Sequence, residues 1–354
     1  MTAAHRAPRQ LTRRHLVAGL AVLAAVPAAA FAVRAIGRDE AAAEATTSPG
    51  RAAASDPARP GATVAAAATV VTSGGGPVPL QPGKVMLGAY LGLDGKSLTE
   101  SLALRRSQLG RDERIVHVFY DFADVLPSAV AGLPAQATPM VSWRGCPLTD
   151  ITSGASDDLI IRAARQLRRL GRPVLLRWGW EMNGDWYKWS AALNDKDGKA
   201  YVAAWQRLHR IFAAQKATNV SWVWSPNWNS APVADWNTFA ALYPGDGYVD
   251  WVGVSGYNLH RETPDTLFGG IYQAYAARKP IMITEVGSMD RGGRTKADWI
   301  TLFARWVEAH PAVGAVTWFD TDTHPGYAEK WRIDTDAESL AAYRAMAASA
   351  RFSG

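Results

Sequence analysis

Val174-Leu175-Leu176-Arg177-Trp178-Gly179-Trp180-Glu181-Met182-Asn183-Gly184-Asp185-Trp186-Tyr187 opens as a short, largely apolar run and ends in a loop of aromatic, amide and acidic residues. A five-residue run set off by Gly171, Pro173 and Gly179 reads as a buried parallel strand, with the loop emerging from its C-terminal end. Seven further runs share the pattern: 85–89, 115–119, 139–143, 220–224, 249–254, 281–284 and 315–319. Between them lie stretches of helical periodicity, the clearest at 157–170, 201–214, 267–277 and 296–309, with 337–350 closing the chain. Eight strand-helix alternations predict an α/β fold of the closed (β/α)8 TIM-barrel type. An open doubly wound sheet is disfavoured, because the first turn, Gly88-Ala89-Tyr90-Leu91-Gly92, lacks the third glycine of a phosphate-binding turn.

The chain has 354 residues, is 48% apolar and 20% charged, and carries a net charge of +6, a globular composition. Its lone cysteine, Cys146, excludes an intramolecular disulfide framework and any multi-cysteine metal site. Arg6, Arg9, Arg13 and Arg14 precede an apolar run from Leu16 to Val33 that ends in small residues. This is the layout of an export signal, and Thr12-Arg13-Arg14-His15-Leu16-Val17 resembles a twin-arginine signal, so residues 1–33 are expected to engage the twin-arginine export machinery. The alternative is an uncleaved membrane anchor, which Pro27 and the many alanines weaken. Residues 34–82 are Ala, Thr, Ser, Gly and Pro with almost no aromatics, and read as a disordered linker. Lysine first occurs at residue 84 and tryptophan at residue 143, so a folded domain is expected over 83–354. Most of the excess positive charge lies in the first 80 residues and no nucleic-acid motif follows, so no nucleic-acid partner is expected.

In such a barrel, reactive groups sit at the C-terminal ends of the strands. Glu181 follows the fourth run and Glu285 the seventh, in Ile281-Met282-Ile283-Thr284-Glu285-Val286-Gly287-Ser288. A carboxyl at the end of an apolar strand is costly unless function or a partner holds it, and two converging carboxyls are what glycosidic bond cleavage uses. The competing reading makes each glutamate half of a structural ion pair, for instance with Arg177.

Trp180-Glu181-Met182-Asn183-Gly184-Asp185-Trp186-Tyr187, Trp222-Val223-Trp224-Ser225-Pro226-Asn227, Asp250-Trp251-Val252-Gly253, Tyr257 and Glu285 together resemble glycoside hydrolase family 26, best known for endo-β-mannanases. The resemblance runs over residues 84–350. It implies a retaining mechanism with Glu181 as acid/base and Glu285 as nucleophile, Tyr257 bonded to that nucleophile and Trp318 flooring the sugar at the cleavage point. It also implies a polysaccharide substrate and no cofactor. The position before the acid/base, commonly His in the family's mannanases, is Trp180 here, which unsettles mannan specificity and leaves glucomannan and mixed-linkage β-glucan as alternatives.

Nine of the fifteen tryptophans fall between residues 178 and 236. An indole offers a flat apolar face and one N–H, which suits stacking on a sugar ring. Trp186, Tyr187, Trp189 and Trp228, with Asn183 and Asn227 nearby, are candidate subsite residues, as is Trp180. Trp205, and Trp222 or Trp224, fit the core better. The histidines form no metal-binding pair, and His117 reads as a core residue; Asp320/Asp322 and Asp334/Asp336 recur too commonly in turns to signal a metal. The expectation is a secreted or envelope-associated, monomeric, metal-free endo-β-glycosidase. The rival readings are a catalytically silent polysaccharide-binding envelope protein, and a hydrolase of the producer's own exopolysaccharide.

Overall fold

A computed structural model of the protein describes residues 70–323 and 331–354. The expected export signal, and the linker as far as residue 69, lie outside the described residues. Eight strands, β1 (Met86–Gly92), β2 (Ile115–Tyr120), β3 (Thr138–Trp143), β4 (Val174–Trp178), β5 (Val220–Trp224), β6 (Trp251–Asn258), β7 (Ile281–Ser288) and β8 (Val313–Thr321), pair in parallel in chain order and close β8 onto β1. The described helices are α1 (Leu98–Leu109), α2 (Leu148–Thr152), α3 (Asp157–Arg169), α4 (Lys199–Ala214), α5 (Phe239–Leu242), α6 (Pro264–Tyr275), α7 (Thr295–Ala309) and α8 (Ala337–Ala348). This is the predicted (β/α)8 barrel. Strands β6, β7 and β8 run two to four residues beyond their apolar runs, so Glu285 lies within β7.

Each strand contributes one residue to an apolar layer inside the barrel: Met86, Ile115, Met140, Leu175, Val223, Trp251, Met282 and Ala315, all buried. Two residues further along, the strands carry polar side chains, His117, Ser142, Arg177, Ser225, Thr284 and Thr317, with Ser255 above Gly253 on β6. Side chains two apart on a strand share a face, so apolar filling at the N-terminal half gives way to a polar floor beneath the C-terminal mouth.

The same parity turns the strand tryptophans outward. Trp178 stacks on Tyr201 of α4, and Trp222 packs on Phe212 and His209 of the same helix. Trp224 meets Tyr243 and Tyr275. Trp318, expected to floor the cleavage subsite, belongs to this outward set. It is fully buried against Trp299 and Phe303 of α7 and Tyr343 of α8, and its Nε1 donates to the Trp331 carbonyl at 2.8 Å. The inward residue of that pair is Phe319, stacked on Tyr90.

Residues 70–82, expected to belong to the linker, are instead part of the folded barrel. Val78 and Leu80 pack into the apolar layer from below. The Val78 amide donates to Ser221 Oγ at 2.8 Å, Ser221 Oγ donates to the Gly75 carbonyl at 2.7 Å, and Trp251 Nε1 reaches the carbonyls of Gly75 and Val78. Its small-residue composition conceals this role: two aliphatic side chains and a run of backbone groups suffice to stopper a barrel whose own residues supply the donors.

Candidate active site

Glu181 and Glu285 reach the mouth through two local departures from regular backbone. At the end of β4, Gly179 takes φ +52° and Glu181 φ +53°, the left-handed region that glycine tolerates and glutamate resists. The turn holds Glu181 there: its amide donates to the Ser225 carbonyl at 2.8 Å, and its carbonyl accepts from the Gly184 amide at 3.0 Å. A non-glycine residue kept in that region costs on the order of 1 kcal/mol, which the surrounding bonds must offset. On β7, the pairing with β6 slips by one residue, so that Val254 faces Ile283 and Ser255 faces Glu285. This bulge at Thr284 lets Thr284 and Glu285 both turn toward the interior, whereas strict alternation would send Glu285 into the helix layer. Thr284 Oγ1 pairs with Ser225 Oγ at 2.7 Å, while Glu285 meets Arg177.

The two carboxyls have different surroundings. Glu285 accepts from Arg177 Nη1 on one oxygen and from the Tyr257 hydroxyl on the other. Glu181 accepts from Trp186 Nε1 at 3.1 Å and from the Asn227 side chain. Burial, reinforced by the negative charge of Glu285, pushes the Glu181 carboxyl up to about 7 despite those donors. One carboxyl is thus a protonatable acid near neutrality, and the other sits between a guanidinium and a phenol.

The family model for glycosyl hydrolase family 26 matches residues 154–343, more than half of the chain. The chain belongs to glycosyl hydrolase family 26. Endoglucanase H of Acetivibrio thermocellus is 35% identical over 253 residues, covering 66% of this chain and 27% of that protein. A mannan endo-1,4-β-mannosidase of Bacillus subtilis is 32% identical over 134 residues, covering 36% of this chain and 34% of that one. The chain therefore spans about a quarter to a third of the length of these curated relatives. Among solved structures, an endo-β-1,4-mannanase of Cellulomonas fimi superposes with a TM-score of 0.57 at 17% identity, over 77% of this chain and 72% of that one, a likeness of fold.

Within this family 26 barrel, the expected subsite residues separate into two groups. Trp186, Trp228 and Tyr257 are partly exposed at the mouth. Tyr187 and Asn227 lie at its edge, and Trp180 beneath it, 3% exposed, with Arg177 over its ring at 5.0 Å and Phe119, Tyr187 and Trp189 around it. Asn183 and Trp189 do not face the cleft. Asn183 is fully buried; its Oδ1 accepts from the Asn227 amide at 2.8 Å and its Nδ2 donates to the Asn227 carbonyl at 2.9 Å, stapling one loop to the other. Trp189 stacks on Tyr187 and donates Nε1 to the Trp180 carbonyl at 2.8 Å, so its indole is committed to packing.

Several contributors escaped sequence reading. Tyr90, Phe119, Phe319 and Trp331 form an aromatic wall with Tyr257 around the mouth. Strand parity could have found Phe319 once Trp318 was turned outward; Trp331 carries no such signal. Arg177, considered only as a structural partner, is fully buried on Glu285, so the ion-pair reading and the catalytic reading of Glu285 describe one contact. Asp320 and Asp334 are both bonded to Arg105, which accounts for their charges. Among the described residues, no group of three or more His, Cys, Asp or Glu could hold a metal ion.

Proposed function

We propose that this chain is a retaining endo-β-glycosidase in which Glu285 attacks the anomeric carbon while Glu181 delivers its proton to the leaving oxygen. The resulting glycosyl-enzyme is released by water, from which Glu181, now ionised, removes the proton. The observation that carries this reading is the asymmetry of the two glutamates. Glu181 is buried, borders a second carboxyl and holds its proton up to about 7, as a general acid requires. Glu285 is held from both sides by donors, which orients its oxygens and leaves Glu181 as the proton source. Once the Glu285 charge is consumed in the covalent intermediate, the second-largest cause of the Glu181 rise disappears, and Glu181 becomes a weaker acid-holder suited to its second role as base.

For substrate, we propose β-linked glucan and glucomannan at least on a par with pure mannan. Trp180 is packed among aromatic rings and offers an apolar surface where a histidine would offer two ring nitrogens, so the pocket lacks one route for reading a sugar hydroxyl. A curated relative named an endoglucanase, matched over 66% of this chain and 27% of its own length, supports the same preference. We further propose export of the folded enzyme through its twin-arginine-like leader. The test is a reducing-end assay on mannan, glucomannan, mixed-linkage glucan and xylan, with the anomer of the first product read by NMR. Release of the β-anomer from a β-glycan is expected. Initial release of the α-anomer would overturn the double displacement, and inactivity on all four polymers would overturn the substrate class.

A further inference from the structure

Beneath Glu285, a buried chain of side chains crosses the barrel from β7 to β2. Arg177 Nη1 donates both to Glu285 Oε1 and to Ser142 Oγ, the latter at 3.2 Å, and Arg177 Nη2 donates to Ser255 Oγ at 2.6 Å. Ser142 Oγ lies 2.6 Å from His117 Nε2. Ser142, Arg177 and Ser255 are fully buried and His117 is 1% exposed.

Counting donors and acceptors gives this chain a direction. A guanidinium only donates, so the Ser142 oxygen accepts from it. The hydroxyl has one proton and a second lone pair: a proton on His117 Nε2 would leave both the serine proton and Nδ1 without partners, whereas a serine proton given to Nε2 leaves only Nδ1–H, so the arrangement with fewest unmet groups has Nε2 accepting. His117 is then the neutral tautomer with its proton on Nδ1, an atom that makes no hydrogen bond within the protein. A second proton on the ring would point a donor at Ser142 and place a cation in the interior beside Arg177, so the neutral form is the one the chain accommodates.

We infer that Ser142, held by His117, is a positioning residue for Glu285: it takes one of the two Nη1 protons of Arg177 so that the other is aimed at Glu285 Oε1. Planarity of the guanidinium makes this effective, because fixing Nη1 against Ser142 and Nη2 against Ser255 fixes the whole fork. With the Ser142 contact removed, Nη1 loses one of its two restraints. The Glu285 carboxylate then loses orientation, and not substrate affinity, since Ser142, Arg177, Ser255 and His117 are all buried below the mouth.

The inference rests on the reading of Glu285 as nucleophile, and the test separates the two. Ser142→Ala, Ser142→Thr and His117→Phe are measured on a soluble oligosaccharide with a good leaving group, alone and in the Glu285→Ala background supplied with azide. Thermal unfolding confirms that each variant is folded. Ser142→Ala and His117→Phe are expected to lower kcat about tenfold with KM within about twofold, and Ser142→Thr, which keeps the hydroxyl, to recover most of the loss. In the azide-rescued Glu285→Ala background, where no carboxylate needs orienting, Ser142→Ala should change turnover by less than about twofold. An equal loss in both backgrounds, a loss confined to KM, or failure of the threonine to restore turnover overturns the positioning role. High activity of Glu285→Ala without azide overturns the nucleophile assignment instead.

Discussion

Replacing Glu181 by glutamine should stabilise the fold at alkaline pH and not at acid pH. Burial is the largest cause holding the Glu181 proton and the charge of Glu285 the next, and together they carry the carboxyl from 4.5 to about 7. A raised carboxyl binds its proton more tightly in the folded state than in the unfolded chain. Its penalty is therefore absent below about 4.5, grows between 4.5 and about 7 as the unfolded chain ionises first, and is constant above. The span corresponds to about 3 kcal/mol at full development. Glutamine still accepts from Trp186 Nε1, but its amide nitrogen cannot accept from Asn227, which removes about 1 kcal/mol of the gain. The expected net is about 2 kcal/mol of added stability at pH 8, shrinking to within about 0.5 kcal/mol of wild type at pH 5. Urea unfolding at the two pH values measures it directly and requires no substrate. A gain of equal size at both, or a loss at pH 8, would refute the claim that an ionised Glu181 is carried at a cost to the fold.

Glu181→Ala should spare turnover of substrates with good leaving groups, which need no proton, and slow poor ones by about a hundredfold or more; equal losses on both would point to a different acid. A chain starting at residue 81 should be markedly less stable than one starting at 70, because Val78 and Leu80 leave the barrel floor and Ser221 and Trp251 lose their partners; Leu80→Ala alone should cost about 2–5 kcal/mol in urea unfolding. Trp180→His should shift the ratio of kcat/KM for mannan over mixed-linkage glucan toward mannan. An unchanged ratio would show that a side chain 3% exposed is too deeply set to read the sugar.

Strand count, strand order and the two glutamates were legible in the sequence because each rests on local information. A parallel strand buried on both faces must be apolar along its length, and a carboxyl directly after such a run stands out against it. Parity within a strand is equally legible: it turns Trp178, Trp222, Trp224 and Trp318 toward the helices, against the place at the sugar that the family resemblance implies for Trp318. Three features belong to the tertiary structure. The bulge at Thr284, which brings Glu285 inward, is a slip of register between two strands and leaves no mark in the composition of either. The stopper formed by residues 70–80 exists only because Ser221 and Trp251, over 140 residues away, supply donors to its backbone. The difference between Glu181 and Glu285 arises from neighbours on other strands and loops: Arg177 and Tyr257 on one carboxyl, Trp186 and Asn227 on the other. The sequence could name two carboxyls. Which one keeps its proton depends on burial and on charges brought near by folding, and neither exists until the barrel closes.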